Sequence, residues 1–488
     1  MKVFRTLGIA IVVVLAWTSL ASSQEPFTAG TWTKVTAAPP SPVAHMLLLT
    51  DGSVLVNSFF FTTHVDKWYR LVPDSTGSYV NGKWVGASTL PSGYNPLYFA
   101  SAVLPSGNVF VMGGEYNNGG SIWTTLGAMY HPKANSWTSV AAPTGWTTVG
   151  DAQSVVLPSG KLMLANCCTT DEAILTSTSP VTWTATGTGK HDWNDEEGWT
   201  LLPNGKVLTV DAYVNLACCP KGSEIYDPTT GAWASSGSTV VNLVDSGSRE
   251  LGPAVLRPDG TVFYAGATTN NAIYNSATGV WSSAPKFGGS LDIADGPGAL
   301  LPDGNVLLDT SPGVFGTGSK FFEWDGTAFN AVPGPPNASL DSSYVGNMVV
   351  LPTGQIMFTD FSSDVEIYTP VGSPCAGCAP TITSVATTLT HGTTNNLIKG
   401  RQLNGLSQGA AYGDDNQSAT NFPLVRITDA SGALVYCRTH GFSSMGVATG
   451  TRVVSAQFDI PTTIAIGPAS LVVVTNGIPS APVSVTIN

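Results

Sequence analysis

Seven positions recur at a fixed offset in this chain, nine or ten residues ahead of a glycine that ends a short turn. They read Val43, Tyr98, Asp151, Glu196, Glu250, Asp295 and Tyr344. Four of the seven are carboxylic acids, with Glu197, Arg249 and Asp292 as immediate neighbours. Carboxylates brought to one rim repel one another, and burial raises their pKa values. A cation, a Lys or Arg partner, or the hydroxyls of a ligand would relieve that repulsion. Asp151, Glu196, Glu197, Arg249, Glu250 and Asp295 are therefore the candidate ligand-binding set. The competing structural reading has the same acids capping loops by accepting backbone N–H bonds.

Trp146, Trp193 and Trp199 flank these acids and offer stacking faces for a sugar. A pair of carboxylates can also hydrolyse a glycosidic bond when about 5–9.5 Å apart. The stretch YGDDNQ at 412–417 suits either a calcium loop or a plain polar loop. Asn337-Ala-Ser and Asn416-Gln-Ser fit the glycosylation acceptor pattern. HExxH, GxGxxG, a phosphate loop and a supported GxSxG are all missing from the sequence.

The elements that position the acids come from an internal repeat. The phrases LLLTDGSVLV, AVLPSGNVFV, VVLPSGKLML, TLLPNGKVLT, AVLRPDGTVF, ALLPDGNVLL and VVLPTGQIMF carry their turn glycines at 52, 107, 160, 205, 260, 304 and 354, a period near fifty. Pro, then Asp, Asn or Ser, then Gly is the chemistry of a three-residue hairpin turn. The flanking runs are apolar throughout, as in strands buried on both faces. A second phrase, tyrosine, turn, tryptophan, ends at Trp137, Trp233 and Trp281, with looser counterparts ending at Trp84 and Phe329. About four antiparallel strands per unit at this period predict an all-β, seven-bladed β-propeller. The seventh unit stops without its aromatic strand, while GTWTKV at 30–35 is a strand without a unit, so the N-terminal strand is expected to close the ring.

Residues 1–23 combine Lys2 and Arg5, a short apolar stretch and small residues before Gln24, the pattern of a signal peptide. The propeller is expected over 24–374, a Cys-containing linker over 375–379, and an immunoglobulin-like β-sandwich over 380–488. The chain has 488 residues, a net charge of −12 and only 11% charged residues. Without a basic run, nucleic acid and anionic membrane surfaces are disfavoured as partners. No further apolar run would span a membrane, and a large propeller buries its own core, so a monomer outside the cytoplasm is expected. Seven cysteines leave at least one thiol unpaired: a local disulfide is expected for Cys375–Cys378, cross-links between the doublets Cys167-Cys168 and Cys218-Cys219 are open, and Cys437 reads as a buried thiol.

A seven-bladed kelch-type propeller followed by a sandwich resembles the galactose oxidase family of secreted copper radical oxidases. The resemblance implies a loop from the C-terminal domain that delivers a metal-binding histidine to the propeller axis. CRTHGFSSMGV is similar to that loop and puts His440 in the ligand position. By the same resemblance Tyr98 stands at the cross-linked tyrosine and Tyr344 at the axial one. Two positions do not match: the cross-linking cysteine is His45 here, and the second histidine is Val345. Without that thiol no Tyr–Cys cofactor can form. His45, Tyr344 and His440 remain the candidate metal ligands, with copper as the implied metal, and Tyr98, Tyr344 and His440 the candidate catalytic residues. The expected function is a secreted binding or scaffolding protein for carbohydrate; the alternative is a copper-dependent alcohol or aldehyde oxidase with a rearranged site.

Overall fold

The computed structural model describes residues 27–59, 66–213 and 221–488. The expected signal peptide, Cys218 and Cys219 lie outside them. Among the described residues the chain is built from strands, with a single 3-10 turn at Ser343–Val345. No helix there is long and apolar enough to cross a membrane.

Seven successive antiparallel sheets take their first strands from Val43–Leu48, Ala100–Val103, Ser154–Val156, Thr200–Leu201, Ala254–Leu256, Gly298–Leu300 and Asn347–Val350. Each first strand starts at or up to four residues after one of the recurring positions and ends four residues before its turn glycine. All seven of those glycines have φ between 76° and 95°, the left-handed conformation that a three-residue hairpin asks of its last residue. First strands are buried along nearly their whole length, and fourth strands such as Ser136–Ser139 are largely exposed. That gradient explains the loss of apolar residues through each repeat. The tyrosine–tryptophan phrase becomes a cross-strand pair: Tyr130 opposes Trp137, Tyr226 opposes Trp233, and Tyr274 opposes Trp281. Ring centroids 5.0–5.4 Å apart put these pairs in the favourable tilted range.

The seventh sheet completes itself with the N-terminal strand. Thr31–Lys34 pairs antiparallel with Glu366–Thr369, and Trp32 packs 4.9 Å from Tyr368. First strands also lie against one another between sheets: Val43–Leu48 is flanked by Asn347–Val350 and Ala100–Val103, and Gly298–Leu300 by Ala254–Leu256 and Asn347–Val350. Residues distant in sequence therefore start their strands at one common end.

Beyond Cys375 two more sheets face each other. One holds Thr381–Val385, Asn396–Arg401, Val453–Phe458 and Thr439–His440; the other is built around Leu424–Thr428, Gly467–Thr475 and Val483–Ile487. Ile398, Val425, Ile427, Phe458, Leu471 and Val473 form their core. Cys375 and Cys378 are bonded to each other, as the linker spacing predicts. Cys167 is paired with its neighbour Cys168, and the expected cross-link to Cys218 and Cys219 falls outside the described residues. Cys437 is a buried free thiol whose pKa burial drives up.

Candidate functional site

The strand-start end is shaped by unusual backbone. Tyr98, Glu196 and Asp295 have φ of 50°, 57° and 46°, and Arg249, next to Glu250, has 75°. Left-handed conformations at such residues cost on the order of 1 kcal/mol each. They recur at the same point of different sheets, where the chain turns sharply inward before its first strand.

Between the first strands runs a segment from the C-terminal part, residues 408–422. Ala410–Ala411 adds a short strand to Gly298–Leu300. The Leu201 N–H donates to Gln408 Oε1 at 2.7 Å, Ser101 Oγ donates to the Gln417 carbonyl at 3.1 Å, and Ser418 Oγ donates to the Met46 carbonyl at 3.0 Å. The first, second, fourth and sixth sheets thus all grip this one segment. Its Gly413 is required by close approach: a Cβ there would lie 2.3 Å from Asp295 Oδ1 and 2.8 Å from the Leu251 carbonyl.

The segment delivers Tyr412, Asp414 and Asp415 to the acids of the sheets. Oxygens of Asp151, Asp414 and Asp415 lie within 4.8 Å of one another, as do those of Glu196, Asp295 and Asp414. The Asp414 carboxyl belongs to both groups. Glu250 stands between Glu196 and Asp295 and contacts both. Burial, and then the neighbouring acids, hold Asp151, Glu196, Asp295 and Asp415 well above the usual carboxylate range. Glu115 and Asp195 are pushed up to about 7, burial first and the Asp414 charge after it. Asp151 Oδ1, Glu250 Oε2, Asp295 Oδ1 and both Asp415 oxygens are buried without a hydrogen-bond donor among the described residues.

An aromatic face adjoins the acids. Trp193, 47% exposed, stacks on Tyr213 with centroids 6.0 Å apart. The Tyr213 hydroxyl contacts Asp195 and lies beside Glu196 and Glu250, and its ring lies 5.9 Å from the Arg249 guanidinium. Trp199 is buried against Trp233 and presents no face to a ligand; Trp146 is half-buried at the core edge.

Several sequence-derived site residues sit elsewhere. Glu197 is fully buried in an ion-pair network, accepting from Lys190 Nζ at 2.9 Å while Lys190 also reaches Glu224 at 2.7 Å. His45 is buried in the first strand of the first sheet, its Nε2 2.9 Å from Ser101 Oγ, and burial lowers its pKa to about 4. His440 is not at the acid end. Its flanking residues bond the turn side of the sheets, Thr439 N–H to the Thr50 carbonyl and Gly441 N–H to the Pro105 carbonyl, while its Nε2 lies 3.0 Å from Asp459 Oδ1. That is about one strand length, roughly 20 Å, from the strand starts. An open cleft lies there, lined by already paired charges such as Arg438 and Asp459. Tyr98 and Tyr344 do meet the segment: the Tyr98 and Tyr412 hydroxyls both donate to the Tyr344 carbonyl, at 3.2 and 2.5 Å.

The loop that enters between the sheets is therefore not the one carrying His440. The groups acting on Tyr98 are carboxylates and the Tyr344 phenol, and among the described residues the clustered carboxylates at this end include no histidine. Such a hard oxygen set does not fit copper, which favours nitrogen and sulfur donors. Tyr412, Asp414, Asp415, Asp195 and Tyr213 escaped the sequence-based site list. Only YGDDNQ hinted at the first three, and nothing local tied it to the repeats.

No family model and no curated protein sequence matches the chain. Among solved structures, a fungal alcohol oxidase of the AA5 family in complex with copper matches over 94% of this chain and 99% of its own, at 13% identity and a TM-score of 0.50. A streptogramin B lyase matches over 70% of this chain and 98% of its own, at 11% identity and TM-score 0.48. A virginiamycin B lyase from Staphylococcus aureus with quinupristin matches over 70% and 100%, at 8% identity and TM-score 0.48. At that identity, the likeness to the oxidase is one of all-β fold and extends along nearly the whole of both chains.

Proposed function

We propose that this chain is an exported, seven-bladed kelch-type propeller with an immunoglobulin-like C-terminal domain, and that it binds carbohydrate at the strand-start mouth without oxidising it. The observation that carries the reading is the exposed Trp193–Tyr213 stack beside Asp195, Glu196 and Glu250. A sugar ring presents an apolar face to an aromatic ring and hydroxyl donors at its rim, and carboxylate oxygens, Glu250 Oε2 without a partner among them, accept from such hydroxyls. The copper-oxidase alternative lacks support in the donor set: His45 is engaged with Ser101, and His440 lies at the opposite end.

Glycan-array screening of the folded mature chain, followed by calorimetry on the best glycan, tests this. Binding is expected, and it should be lost in a Glu196→Gln/Glu250→Gln variant of unchanged melting temperature. A folded wild-type chain that binds no glycan, or peroxide release from an alcohol by the copper-loaded protein, would sink the proposal.

A further inference from the structure

We propose that Asp151, Asp414 and Asp415 form a calcium site that fastens the 408–422 segment between the sheets. The site adjoins the sugar-binding mouth, since Asp414 also lies with Glu196 and Asp295, and it stands whether or not a glycan binds there. Three features carry it.

The first is span. Carboxylate oxygens of the three residues fall within 4.8 Å of one another. An ion held at about 2.4 Å from each ligand oxygen places opposite ligands about 4.8 Å apart, so one Ca²⁺ fits among them.

The second is unmet demand. Asp415 is fully buried, and neither of its oxygens accepts a hydrogen bond among the described residues. Asp151 Oδ1 is buried and also unpartnered. The next residue, Asn416, is 3% exposed, and its Oδ1 has no donor either. Buried acceptors without donors are costly unless a positive charge meets them.

The third is the identity of the neighbours. Besides burial, the groups acting most strongly on Asp151 are Asp414, Asp415, Glu196 and Glu115, all acids. Hard carboxylate oxygens select Ca²⁺, Mg²⁺ or Mn²⁺ over softer metals. Several carboxylates in irregular array suit Ca²⁺, since Mg²⁺ keeps most of its waters and demands a near-ideal octahedron. Two of the ligands arrive from residues 414 and 415 and one from the third sheet, so the ion would tie the inserted segment to the sheets.

The test uses the full mature chain. After dialysis against EDTA the protein is titrated with CaCl₂ by calorimetry, and its metal content is measured after re-dialysis. About one Ca²⁺ per chain is expected, together with a raised melting temperature. Asp415→Asn and Asp151→Asn should each weaken binding at least about tenfold. In EDTA both variants should melt no lower than wild type, because each removes a like charge, which separates loss of the site from loss of the fold. A wild-type chain that ignores millimolar Ca²⁺, or whose Ca²⁺ affinity survives both substitutions, overturns the proposal. So does preferential uptake of Cu²⁺. Glycan binding without Ca²⁺ binding sinks this inference alone; Ca²⁺ binding without glycan binding sinks only the carbohydrate reading.

Discussion

The Tyr412 hydroxyl donates to the Tyr344 carbonyl at 2.5 Å, joining the inserted C-terminal segment to the turn ahead of the seventh sheet. Tyr98 donates to the same carbonyl from the second sheet, at 3.2 Å. One backbone oxygen thereby unites three distant parts of the chain. Tyr412→Phe should cost about 1 kcal/mol, the usual net worth of a buried hydrogen bond. Gly413→Ala should cost more, about 1–3 kcal/mol, because the added Cβ collides with Asp295 and the Leu251 carbonyl. Urea unfolding measures both, and an alanine variant as stable as wild type would remove the close-approach argument.

Stability should fall as pH rises when chelator is present. Glu115, Asp195, Asp211 and Asp292 are raised to about 7 and Glu172 to about 8, in each case chiefly by burial. Their ordinary values are 3.8 for Asp and 4.5 for Glu. Between those values and the raised ones the folded chain holds more protons than the unfolded chain, so deprotonation favours unfolding. The contribution is fully present below about pH 4 and lost through pH 7–8. A melting temperature in EDTA that is higher at pH 8 than at pH 5 would contradict this.

Among the described residues Lys190 is the single cation paired with two buried acids, Glu197 and Glu224, with all three side chains almost wholly enclosed. The acids hold it protonated. Lys190→Met leaves both carboxylates without their counter-charge and should destabilise by about 3–5 kcal/mol. A chemical denaturation curve shifted by under about 1 kcal/mol would show that the hydrogen bonds these acids accept from Thr209 Oγ1 and from the His191 and Asp192 N–H groups suffice without the cation.

Trp193→Ala tests the aromatic face without touching the core. At 47% exposure its loss should leave stability within about 0.5 kcal/mol of wild type. Glycan affinity should fall roughly tenfold or more, since an aromatic contact and its buried area are worth at least about 1.4 kcal/mol. Unchanged affinity would move the ligand away from the Trp193–Tyr213 stack.

The repeat was legible because its physics is local. A three-residue turn needs its left-handed glycine, a wholly buried strand needs apolar residues at every position, and tyrosine and tryptophan meet across a short hairpin; each is written within about fifteen residues. The same register identified Asp151, Glu196, Glu250 and Asp295, since residues at equal distance from equivalent turns start equivalent strands at the same end. The missing fourth strand of the last sheet and the spare strand at 31–34 were legible as complementary halves.

Which C-terminal loop enters between the sheets was not legible in the sequence. CRTHGFSSMGV and YGDDNQ are both polar, glycine-containing loops of one β domain, and the choice depends on how that domain docks. The structure seats His440 against the turns around Thr50 and Pro105 and sends Asp414 and Asp415 toward the strand starts. Likewise Glu197 and Glu196 are adjacent in sequence, yet one meets Lys190 and the other the mouth, because the chain bends at Glu196, whose φ is 57°. Sequence by itself settled the repeat, the turns and the acid register, all governed by contacts a few residues apart. Tertiary packing alone decided which oxygens meet and which histidine stays away, because those contacts join segments hundreds of residues apart whose approach no local preference encodes.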